Sequence, residues 1–114
     1  MLALVAAAGV TLAAHAQADA DPRLGERIAA QGGGDGVTAC NVCHGDRGQG
    51  DARLGFPPLS GQPIDALRRA LDDYASGARP HPLMGSIARA MTPRQCAATA
   101  AWYASLPPPV PTAR

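Results

Sequence analysis

Aromatic side chains are scarce in this 114-residue chain, which holds one Trp, two Tyr and one Phe. Lysine is absent. Ten basic residues, all arginine, nearly cancel nine acidic ones, for a formal charge of +1. That balance gives no reason to expect a nucleic-acid or acidic-membrane partner, which would require a basic stripe. No segment alternates convincingly enough to read as a strand, and no internal repeat is visible. Large aliphatic residues are also few: Leu, Ile, Val and Phe make up about 15% of residues 19–114, below the roughly 20% at which a highly charged chain is disordered. With the charge near zero, disorder does not follow. The length allows one domain and at most a tail, and a domain this small needs something in place of the missing core. A bulky apolar cofactor would supply it.

Residues 2–14 form an almost unbroken apolar run, followed by Ala14-His15-Ala16 and Ala16-Gln17-Ala18. Both triplets fit the small-x-small pattern of signal peptidase, and the run is shorter than the roughly 20 residues that span hydrocarbon. We therefore expect residues 1–18 to be an export signal, cleaved after Ala16 or Ala18, although no Lys or Arg precedes the apolar stretch. The folded domain is expected over 19–106, with a Pro-rich solvated tail at 107–114.

Three cysteines remain, Cys40, Cys43 and Cys96. An odd count argues against a disulfide framework in an exported protein. The run Cys40-Asn41-Val42-Cys43-His44 is the Cys-x-x-Cys-His pattern of covalent haem attachment. Positions i and i+3 share one helical face, so both thiols can meet one porphyrin edge, and His44 then offers its imidazole to the iron. The alternatives are weaker. A dithiol redox motif belongs beside a βαβ pattern, which is missing, and a zinc site needs four ligands. Outside the motif, residues 19–114 offer only Cys96 and His81.

The remaining sequence reads as helices joined by Gly/Pro loops. Asp21-Pro22 caps a first helix carrying Leu24 and Ile28, which stops at Gln31-Gly32. Gly32 to Gly36 reads as a flexible connector and Thr38 to Gly45 as the haem-bearing turn, followed by a strandless loop over 46–61. Pro63 opens a helix with Ile64, Leu67, Leu71 and Tyr74 on one stripe, ending at Gly77. Met84 to Ala90 allows a helical turn or two. Thr92, Pro93 and Gln95 announce the last helix as cap, first residue and capping-box partner, and Pro107-Pro108-Pro109 ends it. The expected fold is all-α: three main helices and a short haem helix.

Three side chains compete for the second axial position: Met84, Met91 and His81. Met84 is preferred, in a Pro82-Leu83-Met84-Gly85 loop that could approach the iron opposite His44. Met91 directly precedes the Thr92 cap, where an apolar residue commonly packs as a staple. His81, between two prolines, reads as solvated. A thioether ligand raises the potential and closes the iron to substrates, whereas an open position would admit ligand or peroxide chemistry.

From about Leu24 to Leu106 the chain resembles the class I c-type cytochromes, most of all the small periplasmic ones whose domain is duplicated in dihaem members. CNVCHGDRGQG at 40–50 is similar to the family's CxxCHGxxGxG, and GFPPLSGQ at 55–62 to its GFPxLxGQ loop. The resemblance implies that Pro57 accepts the ring N–H of His44. Tyr74, Gly77 and Arg79 follow the family's aromatic, glycine and x-Arg pattern. MGSIARAMTP at 84–93 resembles its axial-methionine segment, with Met84 as ligand and Met91 as packing residue. Trp102-Tyr103 falls where an aromatic packs the last helix across the first. Cys96 takes an aliphatic core position and reads as a buried small hydrophobe. The first helix lacks an aromatic, so a looser crossing with the last is expected. Arg79, and less so Arg53, would pair with haem propionates.

The function implied is that of a periplasmic monohaem carrier with one covalent haem c and its iron, not an enzyme. It would pass single electrons from a dehydrogenase or quinol-oxidising complex to an oxidase or reductase. No nucleic acid or small-molecule substrate is expected, and the free protein should be a monomer. A dedicated subunit of a periplasmic dehydrogenase is the alternative. A haem enzyme or gas sensor with an open sixth position ranks third, since no distal acid–base pair is evident.

Overall fold

The computed structural model describes residues 20–110, and Ala3 before them. The expected export signal lies outside the described residues, Ala3 apart. Helix α1 spans Pro22–Gln31, α2 Asn41–His44, α3 Ile64–Ser76, α4 Pro82–Ala90 and α5 Pro93–Ser105, with a 3₁₀ turn at Ala52–Leu54. Among the described residues there is no strand, only an isolated bridge between Asp51 and Phe56.

The helix starts follow local chemistry. The Asp21 carboxylate accepts the Arg23 N–H at 2.9 Å, ahead of Pro22. At α5, Thr92 and Gln95 cap reciprocally: Gln95 N–H donates to Thr92 Oγ1 at 3.1 Å and Thr92 N–H to Gln95 Oε1 at 2.9 Å. Pro93 has no N–H, so two of the three orphan amides of this helix start are thereby satisfied. The same Gln95 side chain donates to the Gly33 carbonyl at 2.7 Å. Gly33 N–H also bonds Val37 O, and Val37 N–H bonds Gly34 O. The connector expected to be flexible is thus a hydrogen-bonded turn that buries Val37.

Helix α1 packs across α5. The expectation of a loose crossing is overturned, because small residues substitute for aromatic bulk. A Cβ built on Gly25 would stand 2.0 Å from the Ala98 carbonyl oxygen and 2.7 Å from Trp102 Cβ. Ala29, Ala97, Ala98 and Ala100 are buried at the 0–2% level. The helices approach to backbone contact at Gly25, which only the absent Cβ permits. Trp102 takes the crossing position expected of it.

The apolar residues form two small clusters. Ala29, Leu67, Ala100 and Tyr103 make one, and Ile28, Val37 and Met91 the other, with Cys40 packed against both. Met91 is buried in the second cluster. Cys96 is half-buried against the second cluster. Pro107 to Val110 are exposed, although Pro108 lies directly over Gly61.

Helix α4 departs most from expectation. It begins at Pro82 and runs nine residues, so Met84 sits in the first turn of a helix rather than in a loop. Pro82 at the first helical position was the readable signal.

Candidate functional site

The haem-motif residues are positioned by backbone hydrogen bonds. Helix α2 is one turn, in which His44 N–H donates to Cys40 O at 3.0 Å, and Gly45 ends it by donating to Asn41 O. The chain then folds back on itself, with Gly50 N–H on His44 O at 2.7 Å and Leu59 N–H on Gly48 O at 2.7 Å. Gly50 has φ +73°, and a Cβ there would lie 2.6–2.7 Å from Phe56 O, Pro58 N and Pro57 C. The proline loop therefore rests directly on Gly50. Its Gln62 side chain donates to the Pro58 carbonyl and braces the loop from the other end.

This packing places the Pro57 carbonyl 2.9 Å from His44 Nδ1. His44 is 7% exposed, and its ring lies 6.2 Å from Phe56, tilted by 57°. With Nδ1 donating to a carbonyl, Nε2 is the nitrogen available to a metal, and the bond sets the plane of the ring.

A cavity of about 260 Å³ opens beside this imidazole. Cys40, Cys43, His44, Pro57, Arg79 and Met84 all line it, together with Leu67, Leu71, Ile87 and Tyr103. Residues 40 apart in sequence meet there, and both apolar clusters reach its wall. Met91 and His81 line it too. His81 is exposed but not merely solvated: its Nδ1 accepts the Met84 N–H at 3.1 Å. Arg79 stacks its guanidinium 4.8 Å above the Tyr74 ring and remains exposed at the cavity rim. Arg53 is exposed in the 3₁₀ turn and does not line the cavity.

Tyr103 is a contributor whose role was not legible beyond packing. Its hydroxyl donates to Asn41 Oδ1 at 2.7 Å, tying the haem helix to α5. Burial drives its phenol well above the ordinary range, with the neighbouring Cys40 a lesser cause. Before attachment, burial likewise raises the Cys40 thiol, partly offset by the Tyr103 hydroxyl. None of the three cysteines is in a disulfide.

The donor set fits a covalent haem. Two thiols one helical turn apart, a buried imidazole with an anchored Nδ1 and a thioether share one predominantly apolar cavity. A soft sulfur and an imidazole suit haem iron.

No family model matches the chain. It is 40% identical over 107 residues to the thiosulfate dehydrogenase electron acceptor of Stutzerimonas stutzeri, a match covering 93% of this chain and 48% of that protein. Among solved structures it resembles cytochrome c4 of Acidithiobacillus ferrooxidans, with a TM-score of 0.70 and 36% identity over 78% of this chain and 51% of that one. It also resembles thiosulfate dehydrogenase of Marichromatium purpuratum, with a TM-score of 0.74 and 34% identity over 80% of this chain and 20% of that one. The chain spans about half the length of the first two. The Cys-x-x-Cys-His turn, the cavity it faces and the fold shared with cytochrome c4 converge on one conclusion: the chain belongs to the class I c-type cytochromes, at the scale of one half of a dihaem member, and its cofactor is covalently bound haem c.

Proposed function

We propose that this domain is a periplasmic one-electron carrier with His44 and Met84 as the two axial ligands of a haem held by Cys40 and Cys43. The observation that carries this reading is the single cavity shared by those four residues, with His44 Nδ1 fixed on the Pro57 carbonyl. When bound, haem c supplies the one-electron couple. The chain's part is to hold and tune it. Pro57 strengthens His44 as a ligand by accepting a hydrogen bond from its Nδ1–H. Met84 offers a thioether, which raises the potential and shuts out exogenous ligands. Arg79, at the rim, would pair with a propionate. Among the described residues no helix is long and apolar enough to cross a membrane, and residues 1–18 would serve as the export leader.

Partners in this reading are redox proteins, met briefly through the apolar rim where Leu83 is exposed. A dehydrogenase is the favoured donor, because the thiosulfate dehydrogenase electron acceptor of Stutzerimonas stutzeri is so similar. The same similarity favours a second reading, a fixed subunit of such a dehydrogenase. Size-exclusion of the native protein separates them: a free carrier elutes as a monomer, a fixed subunit with its enzyme.

The ligand assignment is tested by the absorption spectrum of the oxidised protein and of Met84→Ala. The sulfur-to-iron charge-transfer band at the red edge should disappear in the variant. Its persistence would transfer the role to another side chain.

A further inference from the structure

We propose that His81 is a positioning residue for Met84, whose imidazole caps α4 and fixes the turn that carries the thioether. This rests on Met84 being the axial ligand. His81 is the N-cap residue, in extended backbone at φ −162° and ψ 112°. Its Nδ1 accepts the N–H of Met84, the third helical residue, at 3.1 Å. Pro82 at the first position has no N–H to satisfy. The Gly85 N–H already bonds the His81 carbonyl at 2.7 Å. His81 therefore holds the start of the helix from both its side chain and its backbone, and Met84 is the residue its ring secures.

The ring is itself held. It meets the Tyr74 ring edge-on, with centroids 6.0 Å apart and planes at 77°. Tyr74 is buried near the end of α3, with Arg79 stacked on it at 4.8 Å. The imidazole thus bridges the end of one helix and the first turn of the next. Asn or Asp would cap as well or better, but neither is long enough to make the contact with Tyr74. Without a cap the first turn is the part of a helix that frays, and Met84 lies within it. A frayed turn gives competing ligands access to the position Met84 fills. His81 thereby sets how firmly the thioether is held without touching the iron.

The test compares oxidised holoprotein of wild type, His81→Ala, His81→Asn and Met84→Ala. Imidazole is titrated as the competing ligand, and the red-edge band is followed on heating alongside far-ultraviolet circular dichroism. In His81→Ala, imidazole should bind about tenfold more tightly, the fold-change a lost cap produces. The band should fade well before global unfolding. His81→Asn should return the imidazole affinity to within about threefold of wild type, since Asn restores the acceptor. Wild-type behaviour of His81→Ala overturns the proposal, as does His81→Asn behaving like His81→Ala. Met84→Ala reports on the underlying assignment. If it keeps the band, both ideas fail; if it loses the band while His81→Ala is unchanged, only the positioning role fails.

Discussion

Gly25→Ala sets two known effects against each other, and the structure decides the winner. On helix propensity alone, replacing an interior glycine by alanine stabilises by about 1 kcal/mol. The new Cβ, however, would stand 2.0 Å from the Ala98 carbonyl oxygen and 2.6 Å from its carbon. The closest favourable C–H···O approach is about 3.3 Å, so α1 and α5 would have to part by more than about 1 Å. Overpacking of this kind costs about 1–3 kcal/mol, occasionally more, and here the obstructing atoms are backbone that cannot rotate away. Taking that cost at about 3 kcal/mol and subtracting the propensity gain of about 1 leaves a net loss of about 2 kcal/mol, or a fall in Tm of about 8–16 °C for a domain of this size. Gly85→Ala is the control. There the nearest atom is the terminal nitrogen of the exposed Arg89 side chain at 3.1 Å, with the Tyr74 carbonyl at 3.4 Å. Arg89 can swing aside, so the propensity gain survives and Tm should rise by a few degrees. Thermal unfolding of the oxidised holoprotein by circular dichroism measures both. A Tm for Gly25→Ala equal to or above wild type would refute the close crossing.

Other outcomes follow from single contacts. Gln95→Ala removes the bonds to Thr92 N–H and the Gly33 carbonyl, and should cost about 1–2 kcal/mol in denaturant unfolding; Gln95→Glu keeps the first bond and should lose about half as much. Gly50→Ala would push the proline loop off His44 and should raise the reduction potential with the iron still bound, because an imidazole without its carbonyl partner is a weaker donor to ferric iron. Denatured holoprotein should show one titratable thiol, Cys96, since the other two are consumed in thioether links; three would refute attachment. Burial and, secondly, Asp72 raise the Cys96 thiol. Its alkylation should therefore be slower than that of an ordinary thiol at pH 8 and still be accelerating above pH 9, with Asp72→Asn speeding it at fixed pH. Electron-transfer rates with partners should vary only mildly with salt, because a net charge of +1 steers weakly.

The parts of the fold that could be read beforehand are those fixed by local backbone chemistry. Asp21-Pro22 and Thr92-Pro93 with Gln95 mark helix starts because orphan amides need acceptors, and those acceptors are encoded within three residues. The haem turn was legible because the two thiols need i, i+3 spacing. Pro57 came from the resemblance alone; its contact joins residues 13 apart and no local rule predicts it. The beginning of α4 was missed because histidine is not an obvious cap, although Pro82 pointed to the right position. The Gly25 crossing was missed for a different reason: the sequence shows an absent aromatic, while tightness depends on what faces Gly25 across space. The link from Tyr103 to Asn41 spans 62 positions and is equally invisible locally.

The two residues proposed as axial ligands are held by unlike devices, and this asymmetry has a consequence. His44 is fixed by a backbone lattice: Gly50 on His44 O, Leu59 and Ser60 on Gly48 O, and Pro57 on the ring itself. Those bonds cross between segments, so none can open without disturbing its neighbours. Met84 hangs from one helix turn, secured at its start by a single exposed side chain and packed along α3. Local opening follows the region with the fewest buried contacts and most exposed backbone bonds. The methionine side should therefore open first, under heat, denaturant or a competing ligand, while His44 stays in place. Hydrogen exchange should order the two sides the same way, with the Met84 amide exchanging well before those of His44 and Gly50.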